Sequence, residues 1–349
     1  MKILDSHIIQ YIQQIRQQEE QSIVLIPHVN PDGDAIGAAL ALYHFFSPEQ
    51  KCNVVLPSAF PQFLSWMPSA NELINAQKNK KMARELIANA SLIVIVDHNA
   101  ADRSGDLEAY IQQSKAQKLM IDHHPEPHYP VDMAYSHIDV SSTSELVYQL
   151  IAQTEPQTLN LEIATCIYVG IMTDTSNYMH NVHASTFKAV SVLIDCGIDR
   201  QGIYDRVFRS QTENRMRLTA YALYQKTEII DELGVAIIAL SQSDLNQFAY
   251  QDGDTEGLSN MPLDIAHVGI SILVLEKKDE TKLSFRSKSD IAINRLAKLH
   301  FNGGGHRNAA GGRIQNMELN LVVAKLKEAI WNDHELIIQA KEYANAHKL

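Results

Sequence analysis

The chain has 349 residues, enough for two domains, and carries 30 Lys plus Arg against 41 Asp plus Glu, a formal net charge of -11. That balance argues against a broad basic surface for long duplex DNA or anionic lipid, while leaving room for a small cationic pocket. With 45% hydrophobic and 20% charged residues, the composition is that of an ordinary globular protein.

The opening MKILDSHIIQYIQQIRQQEEQ lacks the apolar core and small-residue cleavage site of a signal peptide. Its periodic Ile3, Leu4, Ile8, Ile9, Ile12 and Ile15 predict an amphipathic helix. No apolar stretch reaches the roughly 18 residues that a membrane span needs. Cys52, Cys166 and Cys196 are scattered without metal-type spacing, which predicts a reducing, cytoplasmic setting.

Strand candidates recur at 22–26 (SIVLI), 52–56 (CNVVL), 91–96 (SLIVIV) and 118–121 (KLMI), with helical patterns such as AIGAALALYHFF between the first pairs. This alternation predicts an α/β fold with a doubly wound, mainly parallel sheet. After TSELVYQLIAQ, LEIATCIYVGIMTDTSNY and a run around STFKAVSVLIDCG continue as helices, the last stopped by Gly197. From Asp199 to Lys226 the chain is polar and helical, as a connecting segment would be. VAIIAL, HVGISILVLE and KLSFRS then predict strands of a second, smaller α/β unit, closed by VVAKLKEAI and a polar helical tail. The expected domains are 1–198 and 227–349, joined by a helical linker over 199–226.

Three of the four early strand candidates end in potential metal ligands. IPHVNPDGD offers His28, Asp32 and Asp34, VIVDHN offers Asp97 and His98, and LMIDHHPEP offers Asp122, His123 and His124. Asp174, in GIMTDTSNY, ends a later helical run. A single Asp or His at a strand end is more often a cap or turn residue. Repetition on neighbouring parallel strands instead brings such ends to one rim, where open α/β sheets bind ligands. Crowded carboxylates need protons or cations, and oxygen with imidazole suits a divalent ion such as Mn²⁺. An EF-hand reading of Asn30-x-Asp32-x-Asp34 fails, because Ala35 and Ala41 stand where its Gly and Glu belong. Near the C-terminus, GGGHRNAAGG (303–312) fits neither a P-loop nor a dinucleotide fingerprint. Its glycines let backbone N–H groups approach an anion, and His306 adds a donor. Arg286 and Lys288 lie two apart on a predicted strand and would share a face, where Arg286 can grip a phosphate with two N–H groups.

His28-x-Asn30-Pro31-Asp32-Gly33-Asp34, Asp97, Asp122-His123-His124 and Gly170-x-x-Thr173-Asp174-Thr175 resemble the four motifs of the DHH phosphoesterase superfamily. GGGHRNAAGG with SFRSK (284–288) resembles its DHH-associated substrate domain, and the layout is most similar to the bacterial nanoRNase and pAp phosphatase subfamily. This resemblance implies two divalent metal ions, Mn²⁺ in the first instance. His28 and Asp32 would hold one, Asp34, His123 and Asp174 the other, and Asp97 would bridge them. Asp122 would orient a neighbouring histidine, and His124 would face the scissile phosphate. Substrate binding would fall to Arg286, Ser287, Lys288, Gly304, Gly305, His306 and Asn308. His98 stands where relatives often carry a small residue and reads as packing beside the site. The implied function is hydrolysis of short RNA oligomers to 5′-mononucleotides and of 3′-phosphoadenosine 5′-phosphate (pAp) to AMP, by in-line attack of water without a covalent enzyme intermediate. The alternative is cleavage of linear or cyclic dinucleotides, with exopolyphosphatase activity further off. A nucleotide-binding protein without turnover is the rival from outside the enzymes. Expected partners are short single-stranded RNA or a mononucleotide, with no membrane and no long duplex DNA; the oligomeric state, a homodimer included, is left open.

Overall fold

Two units divide the chain after Ser210 in the computed structural model, which describes residues 6–18, 20–251 and 253–348. The predicted N-terminal helix runs over Ser6–Gln17 and buries Ile8, Ile12 and Ile15; Ile3 and Leu4 lie outside the described residues. The first sheet comprises β1 (Ser22–Pro27), β2 (Lys51–Leu56), β3 (Ile74–Asn75), β4 (Leu92–Val96), β5 (Gln117–Asp122) and β6 (Met133–Ser136). Its order is β3-β2-β1-β4-β5-β6, with every pairing parallel.

The apolar strand runs are continuous because both faces of the sheet are covered. Ile23, Leu25, Val94 and Ile121 enter one core, while Val24, Ile26, Ile93, Ile95 and Met120 enter another on the opposite face. The four predicted strands are present to within a residue or two of their expected ends. β3 and β6 went unpredicted, one being two residues long and the other, MAYS, having only Tyr135 buried. Strand order reverses between β1 and β4, the position at whose C-terminal strand ends open α/β sheets bind their ligands.

In the second unit the order is β11 (Gly304–His306), β12 (Ala309–Gln315), β10 (Glu280–Ser287), β9 (Ile270–Glu276), β8 (Val235–Leu240) and β7 (Thr227–Ile230). Only β8 and β9 pair in parallel. Along β10, Thr281, Leu283, Phe285 and Ser287 are buried while Lys282 is exposed and Ser284 and Arg286 are intermediate, the period-2 pattern of a sheet with one covered face. The helices Leu319–Asn332 and His334–Ala346 supply Leu326, Ile330 and Ala340 to the core beneath it. Within 199–226, the helix Arg200–Phe208 buries Ile203 in the first unit, and Glu213–Gln225 buries Leu218 and Ala222 in the second. Among the described residues no helix is long and apolar enough to cross a membrane.

Candidate active site

Register builds the site's first row. Pro27 pairs with Val96, and Val96 with Ile121, so His28, Asp97 and Asp122 are the next residues on three adjacent strands. His28 engages the Val29 carbonyl through Nδ1 at 2.9 Å, leaving Nε2 3.5 Å from Asp97 Oδ2 and 3.9 Å from Asp32 Oδ1. Asp32 caps the helix Gly33–Phe46, its Oδ1 accepting the N–H groups of Asp34 and Ala35 at 3.1 Å each. Asp97 has a left-handed backbone, φ +62°, with its N–H on the Ile121 carbonyl at 2.9 Å. Such a conformation costs a residue other than glycine about 1–3 kcal/mol and persists only where its surroundings enforce it.

Asp122 is fully buried, and its two oxygens accept the backbone N–H and the Nδ1–H of His124 at 3.0 and 2.8 Å. His123 Nε2 lies 3.7 Å from Asp174 Oδ2, 3.8 Å from Asp97 Oδ1 and 4.0 Å from Asp34 Oδ2.

Asp34 and Asp174 meet because two helices pack through glycines. A Cβ on Gly37 would stand 2.6 Å from the Cys166 carbonyl oxygen of the helix Leu161–Asp174, and one on Gly33 would stand 2.3 Å from Thr173 Oγ1. Gly170 is tighter still, its added Cβ 1.9 Å from Ser144 Oγ and 2.9 Å from Asp34 Oδ1. The helix Thr143–Thr154 in turn aims its N-terminus at the carboxylates. Thr143 and Ser144 donate backbone N–H groups to Asp34 Oδ2 and Oδ1 at 2.7 and 2.8 Å, and Thr143 Oγ1 donates to Asp97 Oδ1 at 2.8 Å. The sequence reading gives this segment no role. The cue was Ser142-x-x-Glu145 before an apolar run, a helix-start signature.

Burial, then the nearby Asp97 and Asp174, hold the Asp34 carboxyl well above its ordinary range. Burial, then Asp97 and Asp32, push Asp174 up to about 7. For His28, burial opposes protonation but is outweighed by the neighbouring carboxylates of Asp32 and Asp97, which raise it to about 10. Burial lowers His123. His98 is lowered to about 4 by burial, and its neutral ring lies 3.0 Å from the Val96 carbonyl and 2.9 Å from Ser104 Oγ. Ligand atoms gather within 4.8 Å in three sets: His28, Asp32 and Asp97; Asp34, His123 and Asp174; and Asp97, His123 and His124. A surplus of buried carboxylate with imidazole fits divalent cations, whose charge would relieve the repulsion that raises Asp34 and Asp174.

In the second unit, Arg286 and His306 both pair directly with Ala309, so the three share one face. Beside them Ser284, Gly311 and Gly304 form the next row of small residues. Gly305 has φ +141°, and a Cβ there would meet the Ala309 carbonyl oxygen at 2.5 Å. Other expected binders turn inward. Ser287 is buried and donates to the Ile291 carbonyl at 2.7 Å, while the Asn308 amide reaches Ser287 Oγ at 3.0 Å and the Ser289 carbonyl at 2.8 Å. Lys288 lies past the end of β10, so the expected shared strand face with Arg286 does not form, and its ammonium meets the Ile265 carbonyl at 3.2 Å.

The DHH family, N-terminal domain, matches residues 22–171, and the DHHA1 domain matches 228–332. A crystal structure of an exopolyphosphatase-related protein from Bacteroides fragilis superposes with a TM-score of 0.91 at 35% identity, covering 97% of this chain and 99% of that one. The bifunctional oligoribonuclease and PAP phosphatase NrnA of Bacillus subtilis is 26% identical over 321 residues, 90% of this chain and 96% of NrnA. Exonuclease RecJ bound to manganese shares the fold, with a TM-score of 0.57 at 12% identity over 95% of this chain and 96% of that one.

Proposed function

The chain belongs to the DHH superfamily, and from that premise we propose that it is a cytoplasmic Mn²⁺-dependent phosphoesterase that degrades short RNA oligomers to 5′-mononucleotides and converts pAp to AMP. The observation that carries this reading is Asp97: it belongs to two of the three ligand sets, one with His28 and Asp32 and one with His123 and His124. His28 and Asp32 would hold one ion, Asp34, His123 and Asp174 the second, and Asp97 both. Bound there, the cations would supply a water made acidic enough to attack at neutral pH and positive charge to offset that on the phosphate.

The chain's own groups do the rest. Asp122 fixes the His124 ring through Nδ1, so Nε2 is the nitrogen available to the phosphate. Water adds to phosphorus and gives up a proton, the P–O bond opposite breaks, and the departing oxygen takes up a proton in its place. Arg286 and His306, aligned across Ala309, would grip a terminal phosphate of the substrate. The oligoribonuclease and PAP phosphatase activities in NrnA's name support RNA and pAp as substrates, and the likeness to an exopolyphosphatase-related protein is the reason polyphosphate is tested beside them.

A turnover panel with Mn²⁺ tests the reading: pAp, RNA of two to about ten nucleotides, linear and cyclic dinucleotides, and polyphosphate. Release of AMP and mononucleotides from the first two is expected. Failure to hydrolyse any phosphoester would refute it, and preference for polyphosphate or dinucleotides would replace its substrate.

A further inference from the structure

Arg103 belongs to no motif that sequence reasoning used, and its main chain has an evident structural task. The Arg103 carbonyl accepts the Val29 N–H at 2.7 Å, which ties its loop to the residue after His28. The same loop is anchored on its other side, where the Asn99 amide donates to the Pro125 carbonyl at 2.6 Å and the Asn99 carbonyl accepts the His128 N–H at 2.9 Å. The backbone of Arg103 is therefore held between two of the loops that carry the cluster.

Its side chain has no comparable task. The guanidinium is half-buried, and the protein contact that the structure gives it is Nη1 to His124 Nε2, at 3.4 Å. Among the described residues no carboxylate lies within ion-pair distance of it, although Asp34, Asp97, Asp122 and Asp174 crowd the same rim and the chain carries a net charge of -11. Asp122 holds the Nδ1 side of the His124 ring, so Arg103 meets the ring's other nitrogen, Nε2. One contact of 3.4 Å to an imidazole nitrogen is a weak use of a half-buried cation with five donors. A phosphate oxygen arriving at that spot would replace it with a shorter, charge-assisted bond.

We propose, on the reading given under Proposed function, that Arg103 is a catalytic residue that donates to a non-bridging oxygen of the phosphate under attack. It exchanges His124 for the substrate, and its planar fork meets the charge that grows on the phosphoryl oxygens in the transition state.

Two variants test this on the full chain: Arg103→Met, which keeps the stem and removes the charge, and Arg103→Lys, which keeps the charge and loses the fork. On pAp, Arg103→Met is expected to lower kcat by about a hundredfold and Arg103→Lys by an intermediate factor. Mn²⁺ binding, followed by calorimetry and by the melting shift that the ion induces, should match the parent in both. A kcat/KM for Arg103→Met within threefold of the parent would overturn the proposal, as would Mn²⁺ affinity falling in step with activity. Binding of AMP in the presence of Mn²⁺ is measured alongside, with at least a tenfold weakening expected for Arg103→Met and equal affinity counting against it. A parent chain that hydrolyses no phosphoester defeats the proposed function, and the AMP comparison then decides the role of Arg103 by itself.

Discussion

Replacing Gly170 with alanine asks whether close helix packing, and not the ligands alone, holds the site together. The new Cβ would lie 1.9 Å from Ser144 Oγ, 2.6 Å from Ser144 Cβ and 2.9 Å from Asp34 Oδ1. A hydroxyl can rotate away, but a Cβ moves only with its backbone. The Ser144 backbone N–H is one of the two that hold Asp34, at 2.8 Å. Overpacking of this kind costs about 1–3 kcal/mol. In a unit of about 200 residues that lowers the melting temperature by roughly 2–12 °C. Loss of one hydrogen bond to a charged, buried carboxylate is worth about 1.5–3 kcal/mol, or tenfold to somewhat over a hundredfold in Mn²⁺ affinity. Melting curves and Mn²⁺ titration calorimetry measure both effects. Ser144→Gly removes the two obstructing atoms, so the double variant Gly170→Ala/Ser144→Gly should recover part of each loss, with a coupling above about 1 kcal/mol. A single variant that melts within a degree of the parent and binds Mn²⁺ equally would refute the packing argument. So would a double variant whose losses simply add.

Asp97→Ala should be the most damaging ligand substitution and lower occupancy of both metal positions; two ions still bound with near-normal turnover would reject its shared role. His124→Ala should reduce kcat with metal content nearly unchanged, and metal lost in parallel with activity would make His124 a ligand instead. Arg286→Ala and His306→Ala should raise KM for nucleotides about tenfold to a hundredfold while sparing Mn²⁺ binding. Bis-p-nitrophenyl phosphate, which offers no terminal phosphate, should notice them little, and equal losses on both substrates would point to folding or chemistry. With inactive His124→Ala protein, RNA affinity should stop improving after roughly two to five nucleotides, and its salt slope should correspond to about two or three phosphate contacts. A slope still steepening beyond about ten nucleotides would reveal an extended track.

β1, β2, β4 and β5 were legible because burial on both faces leaves an almost unbroken apolar run in the sequence. The motif residues were legible for the complementary reason, since charge placed directly after such a run stands out. β11 and β12 were not. GGH and AAGGRIQ carry little strand propensity, and the ladder that orders them is supplied by β10. Arg103, inside the polar run HNAADRSGD, has no pattern of its own to betray it. Thr143 and Ser144 escaped because much of what they give is a backbone N–H, the same on every residue except proline, delivered to Asp34 across 109 and 110 positions of sequence.

The residues that sequence reasoning missed are the ones that make the legible ones tenable. Asp34 is buried beside two other carboxylates, and Asp97 sits in a left-handed conformation that favours glycine. Neither arrangement is favourable on its own terms. Two backbone N–H groups and a hydroxyl from one helix N-terminus offset part of the cost, and they can arrive only because Gly170 leaves room for Ser144. What these donors leave uncompensated is negative charge, which is the property that a divalent cation removes. The glycines of DGDAIG and GIMTD thus belong to the same chemistry as their aspartates: the first set lets two helices close, and the second fills the space with charge that asks for metal.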